Sequence, residues 1–155
     1  MIDTTGGADK MSRTVAADLR RQGWVQMAFF KRKSKRDDEP VDMNERSTVT
    51  GLRYKDMMVL ASLVDAGAEM SEPRHVLYYL YFTSESVARQ AAVDAATDGF
   101  TVEVREPLPQ YPDQWLVLAE RQAVTSIDVV IWADNKFQAI ADAYDGDYDG
   151  WEASV

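Results

Sequence analysis

The sequence predicts an α+β fold in which helices pack on one face of a small sheet. Segments with helical periodicity alternate along the chain with segments rich in aromatic and β-branched residues. The stretch FTVEVRE alternates apolar and polar residues, which is typical of a strand with one buried face. The chain has 155 residues, 46% of them hydrophobic, which is enough to build the core of one domain.

Three segments, in residues 52–67, 83–99 and 126–146, have the periodicity of amphipathic helices. Thr83 or Ser84 is expected to cap the second helix. Gly67 and Gly99 are expected to follow the ends of the first and second helices. The apolar residues expected on the buried sides are, in chain order, Met57, Leu60, Ala61 and Val64; Val87, Ala88, Ala91, Ala92 and Ala95; and Ile127, Val130, Phe137, Ile140 and Tyr144.

Three segments are expected to be strands: RHVLYYLYF, FTVEVRE and QWLVLAERQAV. A helix separates the first strand from the second, which favours parallel pairing through a right-handed crossover. Only a loop with three prolines separates the second strand from the third, which favours antiparallel pairing. The order α-βαββα therefore predicts a ferredoxin-like sandwich, or an incomplete version of it, with the helices on one face of the sheet.

The first strand has two different faces, because successive side chains point to opposite sides. The more apolar face, which is expected to meet the helices, consists of Val76, Tyr78, Leu80 and Phe82. The other face consists of His75, Leu77, Tyr79 and Tyr81. Tyr79 and Tyr81 are therefore candidate partner-binding residues, on a face that is covered, binds protein or stacks RNA bases.

Residues 1–50 are expected to form a flexible tail, and residues 51–155 the folded domain. The tail holds ten Lys/Arg and eight Asp/Glu (+2), whereas the domain holds seven and eighteen (−11), so the net charge is −9. An acidic domain repels phosphate backbones and favours a basic protein partner. The tail has a basic run that could make a weak contact with RNA or an anionic surface, formed by Lys31, Arg32, Lys33, Lys35 and Arg36.

Translation could also start at Met27. Codons for Gln22, Gly23 and Trp24 must read CAR-GGN-TGG, and with R as G they contain AGGG, which resembles a bacterial ribosome-binding site. The protein would then begin with MAFFKRKSKR.

Several classes of function are disfavoured by composition. The chain has no cysteine and one histidine, which excludes disulfides, thiol catalysis and zinc sites built on several imidazoles. No apolar run is long enough for a membrane span, and the first residues lack the pattern of a secretory signal. His75 has no recognisable nucleophile and orienting carboxylate beside it in the sequence. The composition thus fits a cytoplasmic protein, and no catalytic arrangement, metal site or cofactor site is recognisable in the sequence.

The C-terminal stretch DYDGWEASV is expected to dock on the domain rather than to fray. Tyr148 and Trp151 are large rings that are costly to leave in water, and Gly150 permits a tight bend between them. A fixed acidic rim would result, formed by Asp147, Asp149 and Glu152. Such carboxylates suit an arginine-rich partner, since guanidinium groups recognise them in a bidentate way.

Three stretches, EPRHVLYYLYF, GFTVEVRE and GDYDGWE, together resemble the regulator of ribonuclease activity B family, the ribonuclease E inhibitor RraB-like proteins. The resemblance covers about residues 52–155. Its most specific part is the run from Tyr148 to Trp151, followed by PRHV with Arg74. The LPQYPDQW loop and the basic leader resemble actinobacterial-type members.

The resemblance implies a small cytoplasmic bacterial protein without enzymatic activity. Such proteins bind the RNase E-type endoribonuclease of the RNA degradosome, largely through its non-catalytic, arginine-rich region, and alter which transcripts are cut. The competing interpretation is an RNA-binding module that uses Tyr79, Tyr81 and the basic run. An enzyme would instead require a deep pocket with convergent polar groups.

Overall fold

A computed structural model describes Trp24–Val25 and residues 40–155 of the chain. This part of the chain contains three helices, four strands of five to nine residues and one two-residue strand. In chain order the elements are β1 (Trp24–Val25), α1 (Tyr54–Asp65), β2 (Arg74–Phe82), α2 (Glu85–Ala95), β3 (Thr101–Arg105), β4 (Trp115–Ala123), α3 (Ile127–Ala143) and β5 (Asp147–Ser154).

The strands form one sheet in the order β1-β5-β2-β4-β3, and all neighbouring strands are antiparallel. The run from β2 to β5 has the βαββαβ order of a ferredoxin-like sandwich, so the predicted fold class is confirmed. The antiparallel pairing of β3 with β4 is confirmed as well. The direct parallel pairing of β2 with β3 is wrong, because β4 lies between these strands and pairs with both.

The C-terminal stretch completes the sheet as strand β5, which lies between β1 and β2. Tyr148 and Trp151 are both buried, so the predicted docking of the two rings is confirmed. A register shift separates the pairs Tyr79↔Gly150 and Leu80↔Tyr148, and Asp149 is the extra residue of this bulge. Gly150 has a φ of 106°, a left-handed value that side chains rarely adopt. Tyr148 and Trp151 are three residues apart, so in a regular strand their side chains would point to opposite faces. The bulge therefore lets both rings face the helices.

The core between sheet and helices is aromatic at its centre. The ring of Phe137 in α3 lies 4.7 Å from that of Tyr78, 5.1 Å from that of Phe100 and 5.8 Å from that of Tyr148, between ring centroids. These distances are within the range of favourable aromatic pairs. The predicted helix-facing residues of the first strand are all buried in this core, namely Val76, Tyr78, Leu80 and Phe82.

The second and third helices bury the sides that the sequence predicted. Ser84 caps α2 by accepting a hydrogen bond from the Val87 backbone N–H, and Ala88, Ala91 and Ala95 are buried. In α3 the predicted residues Val130, Phe137 and Ile140 are buried. Ile127 is exposed, since it is the first residue of the helix.

The predicted face of the first helix is confirmed for two of its four residues. Met57 and Leu60 pack against the core, whereas Ala61 and Val64 are exposed. The buried side is centred instead on Val59 and Leu63, and it also carries polar groups where α1 packs against β5, so apolar residues alone did not locate its centre. Gly67 follows the helix end with a φ of 82°, which confirms its expected position.

Part of the predicted tail is attached to the domain. Trp24 and Val25 pair with Ser154 and Ala153 of β5. Residues 42–53 form turns, in which the backbone N–H groups of Tyr54 and Lys55 donate to carbonyl groups of residues 45 and 43. Met27 and the basic residues 31–36 lie outside the described residues.

The alternation of β3 predicts how two neighbouring substitutions differ. Val102 packs against the helix-side core and Thr101 is exposed. Val102→Asp should therefore unfold the domain or lower its stability by several kcal/mol, because it places an unpaired carboxylate in the core. Thr101→Asn should change stability by less than about 0.5 kcal/mol. Urea unfolding of both variants measures the contrast, and the reverse ranking would show that the strand faces are exchanged.

Candidate functional site

Tyr79 and Tyr81 lie on the face of the sheet opposite the helices, as their positions in the strand predict. Both rings are only 5% exposed. They belong to a second buried cluster, which consists of Leu77, Tyr79, Tyr81, Leu116 and Leu118. This face is therefore covered in the folded protein.

Among the described residues, the proline loop between β3 and β4, residues 106–114, covers part of this face. Leu108 and Tyr111 of this loop pack against the second cluster. The loop closes on itself through hydrogen bonds from the Tyr111 N–H to the Leu108 carbonyl, 2.8 Å, and from the Gln114 N–H to the Tyr111 carbonyl, 3.1 Å. Because Tyr79 and Tyr81 are buried beneath it, their rings are not available to stack RNA bases. The interpretation of this face as an open aromatic platform is wrong.

Glu152 belongs to this covered face and not to an exposed rim. It is 6% exposed, and its carboxylate accepts a hydrogen bond of 3.2 Å from the Tyr79 hydroxyl. Burial, together with the charge of Glu152, raises the pKa of Tyr79 far above its ordinary value. Burial also raises the pKa of Tyr81, with further contributions from Asp149 and Glu152. Both tyrosines therefore stay protonated at neutral pH, and the Tyr79 hydroxyl donates to Glu152.

The start of β5 carries the exposed carboxylates of the predicted rim. Asp147 is exposed and Asp149 is half-buried at the bulge. Asp147 pairs with Tyr81 across the sheet, and Tyr81 pairs with Leu116 on its other side. The same end of the sheet is also where Asp145 and the proline loop lie, and the exposed acidic residues there include Asp145, Glu106 and Asp113. We call this end of the domain, with Asp147 and Asp149 at its centre, the acidic end.

Arg74 lies at the opposite end of the sheet and ties three segments together. Its guanidinium donates to the carbonyl oxygen of Ser154 at 3.2 Å and to that of Glu69 at 2.5 Å. The side chain is buried, so the resemblance pattern PRHV corresponds here to a structural anchor between β2, β5 and the preceding loop. The neighbouring His75 pairs with Glu120 of β4, with 2.5 Å between Nε2 and Oε2.

A second group of polar residues is fully enclosed between α1, α3 and β5. Asp56 and Asp134 are both 0% exposed. The indole Nε1 of Trp151 donates to Asp56 Oδ1 at 2.9 Å, and the hydroxyl of Tyr148 donates to Asp134 Oδ1 at 3.1 Å. Arg53 Nε lies 3.7 Å from Asp134 Oδ2. We call Asp56 and Asp134 the carboxyl pair.

The carboxyl pair is expected to hold one proton between its two carboxyl groups at neutral pH. Burial, a hydrogen bond with Asp134 and repulsion from its charge raise the pKa of Asp56 to about 8, against the opposing effects of Trp151 and Lys55. The two Oδ2 atoms meet no donor among the described residues, so a proton between the two carboxyl groups gives each of them a partner. Burial also lowers the pKa of Lys55, with Arg53 as the second cause. The cluster thus places Arg53 and Lys55 beside two buried carboxyl groups.

Sequence reasoning missed the carboxyl pair, although a signal was present. Asp134 lies on the apolar stripe of α3 between Val130 and Phe137. Asp56 lies one helical turn before Val59 and two turns before Leu63 on the buried side of α1. An acidic residue at a position that periodicity assigns to the core indicates a buried polar partner. Because Asp is also common on exposed helix surfaces, the residue type alone does not distinguish these two positions from exposed ones.

The fold and its two buried faces define a small α+β domain with an acidic surface, built on a C-terminal strand. A sequence model of the family described as regulator of ribonuclease activity B matches residues 54–153. The chain therefore belongs to the RraB family, whose members regulate ribonuclease activity. No curated protein matches the chain.

Residues 24–25 and 40–155 contain neither a metal-binding cluster nor a membrane-spanning helix. In this part of the chain no three His, Cys, Asp or Glu side chains are grouped to hold a metal ion. None of its three helices has the length and apolar character needed to cross a bilayer.

The raised pKa of Asp56 predicts a pH dependence of folding. Its value in the folded state, about 8, lies above the ordinary 3.8, so the stability it contributes is complete below about pH 4 and is lost as the pH rises towards 8. Asp56→Asn should remove this loss, which amounts to at most about 1.4 kcal/mol per pH unit. Urea unfolding between pH 5 and pH 8 measures it, with the exposed Asp65→Asn of the same helix as control. Equal slopes for Asp56→Asn and the unsubstituted protein would contradict the shared proton.

Two substitutions of Trp151 should separate ring burial from the hydrogen bond. Trp151→Phe keeps most of the apolar ring but leaves Asp56 Oδ1 without its donor, which should cost about 1–3 kcal/mol. Trp151→Ala also removes the ring and should cost about 3–5 kcal/mol. Chemical unfolding gives both values. Unchanged stability of Trp151→Ala would mean that β5 contributes little to the folded domain.

Proposed function

We propose that this protein regulates RNA cleavage by binding an RNase E-type endoribonuclease, without catalysis of its own. The observation that carries the proposal is the family match over residues 54–153, because it makes a ribonuclease the target of regulation. The finer identity of that ribonuclease is supported by charge, as the arginine-rich, non-catalytic region of such an enzyme is a strongly basic partner. This mode of action would place the protein in the cytoplasm, and its assignment to the actinobacterial type stays a prediction.

Charge supports a basic partner. Residues 51–155 carry eighteen Asp/Glu against seven Lys/Arg, a balance of −11. Several of these cations are already neutralised: Arg53 lies against Asp134, Arg89 pairs with Glu85 and Arg105 pairs with Glu103. An acidic surface of this kind attracts a basic segment over a distance and speeds its association.

The acidic end is the proposed contact surface. Asp147 is exposed at the first residue of β5, and Asp149 is held at a bulge between Tyr148 and Gly150. The buried rings of Tyr148 and Trp151 fix the strand that carries them. Carboxylates in fixed positions suit the planar fork of arginine, because less side-chain entropy is lost on binding. Glu152 would support this surface indirectly, because its carboxylate accepts a hydrogen bond from the Tyr79 hydroxyl and so holds that ring in place.

The competing proposal, an RNA-binding module, lacks an exposed aromatic surface on the sheet, since Tyr79 and Tyr81 are buried. The basic run Lys31, Arg32, Lys33, Lys35 and Arg36 remains a possible contact for RNA or an anionic surface. The division into a tail, residues 1–50, and a domain, residues 51–155, is likewise proposed, with β1 as a point of attachment.

Removal of two charges tests the contact surface. Asp147→Asn combined with Asp149→Asn should weaken binding of the arginine-rich segment of the host's RNase E-type enzyme by about 2–10-fold, with a larger effect at low salt. Fluorescence anisotropy with a labelled segment and the full chain measures the affinity. The matched control, Asp65→Asn with Glu72→Gln, removes the same charge from exposed positions elsewhere on the domain and should change affinity less than twofold.

Two outcomes would contradict the proposal at different levels. Equal weakening by both double variants would mean that net charge, and not the acidic end, determines binding. Absence of binding by the unsubstituted protein at low salt would contradict the RNase E-type partner itself. Thermal unfolding of each variant must match that of the unsubstituted protein for the comparison to hold.

A further inference from the structure

An exposed tryptophan on α3 belongs to neither of the surfaces described so far. Trp132 is 41% exposed. Its ring lies nearly parallel to that of Phe100, with 7° between the planes and 6.1 Å between the centroids. Phe100 is buried and immediately precedes β3. The indole of Trp132 therefore packs against a ring of the core, while part of its surface faces solvent.

Two cations flank this ring pair. The guanidinium carbon of Arg121 lies 4.5 Å from the Phe100 centroid and 4.8 Å from that of Trp132. The ammonium of Lys136 lies 5.6 Å and 6.0 Å from the same two centroids. Lys136 also pairs with Asp98 at 3.0 Å and donates to the Thr97 hydroxyl. We call Phe100, Arg121, Trp132 and Lys136 the ring–cation patch.

The patch differs from the rest of the acidic domain in its charge. Among the described residues Arg121 makes no salt bridge; it donates a hydrogen bond to the Asp98 carbonyl at 3.3 Å and also interacts with the Tyr78 hydroxyl. The other domain cations besides Lys136 are buried or paired with a carboxylate, namely Arg53, Lys55, Arg74, Arg89 and Arg105. With Asp98 included, the patch carries one net positive charge beside an exposed aromatic ring.

A cavity adjoins the patch. An open cavity of about 580 Å³ lies beside Arg121 and is also lined by His75, Asp98, Thr101, Glu120 and Gln122. Its two carboxylates disfavour a phosphate inside it, and Trp132 does not line it. The ring and the two cations, and not this cavity, are therefore the features that suit a ligand.

We propose that the ring–cation patch binds single-stranded RNA, with a base stacked on Trp132 and the adjoining phosphate near Arg121. Bases stack on aromatic side chains with little regard to sequence, and a nearby arginine adds to the interaction. An acidic peptide would satisfy the cations equally well but has no flat ring to cover the indole. The exposed ring thus favours RNA over an acidic protein as the ligand.

This inference goes beyond the proposed function and does not depend on the acidic end. A regulator bound to a ribonuclease lies close to the RNA that the enzyme cuts. A weak RNA contact on the regulator would then bias which single-stranded segments reach the enzyme. Because the domain is strongly acidic and the patch offers only two cations, binding should be weak and should depend only modestly on salt.

The first test uses the unsubstituted full chain. A labelled single-stranded RNA of ten nucleotides is compared with an oligonucleotide of equal length that has the backbone but no bases, at low salt. Stacking predicts that the abasic oligonucleotide binds about tenfold or more weakly. Because arginine side chains also stack on bases, this comparison establishes that bases contribute to binding, and the substitution of Trp132 locates that contribution. Equal affinities would overturn the proposal.

The second test locates the stacking. Trp132→Ala should reduce RNA affinity about tenfold, whereas Trp132→Phe should retain most of it because a ring remains. Ile127→Ala is the matched control, since Ile127 is an apolar residue of the same helix with 44% exposure. If Trp132→Ala fails to fold, Trp132→Leu takes its place, because it keeps an apolar side chain without an aromatic ring.

Two further results would overturn the proposal. One is RNA affinity in folded Trp132→Ala equal to that of the unsubstituted protein. The other is competition by poly-glutamate as effective as competition by RNA, which would make the patch a site for acidic protein. Binding of the arginine-rich ribonuclease segment should be unchanged in Trp132→Ala, so failure of this inference and failure of the proposed function can be told apart.

Discussion

The hydrogen bond from the Trp151 indole to Asp56 is the contact on which the rest of the arrangement depends. It joins β5, the last strand, to α1, the helix that precedes the βαββαβ unit. Asp134 extends the contact to α3, because it is expected to share a proton with Asp56 and accepts the Tyr148 hydroxyl. A buried carboxyl group is tolerated only when its oxygens are satisfied, so the three elements must be present together. Chain segments far apart in sequence are thereby held in one position.

The position of β5 then determines the surface proposed for binding. The rings on one side of the strand are buried, and the bulge at Asp149 with Gly150 absorbs their uneven spacing. Asp147 and Asp149 are consequently presented from a fixed strand rather than from a free terminus. On the other side, Glu152 and Tyr79 close the sheet beneath the proline loop. The protein thus separates a covered aromatic face from an exposed acidic end, which suits a basic protein partner better than RNA bases on the sheet.

Much of the fold could be predicted from side-chain periodicity and from the residues that end helices and form turns. The β2 and β3 alternation, the alanine stripe of α2 and the docking of Trp151 all follow from side-chain periodicity or hydrophobic cost. Three features could not be predicted in this way. The segment that forms β5 is not recognisable as a strand from the sequence, because its bulge breaks the alternation of apolar and polar residues. The covering of Tyr79 depends on the path of the proline loop, which no local sequence pattern specifies. The carboxyl pair depends on residues 56 and 134 meeting in space, which periodicity within one helix does not reveal.

The central claim is that the acidic end at the start of β5 is where a basic ribonuclease segment binds. Amide chemical-shift mapping of the full chain tests it most directly, by titration with the arginine-rich segment of the RNase E-type partner. The account predicts that the largest shifts cluster at residues 145–150 and in the facing proline loop, with the amides around Trp132 unaffected. Shifts centred on the helices, or spread evenly over the domain, would contradict the account.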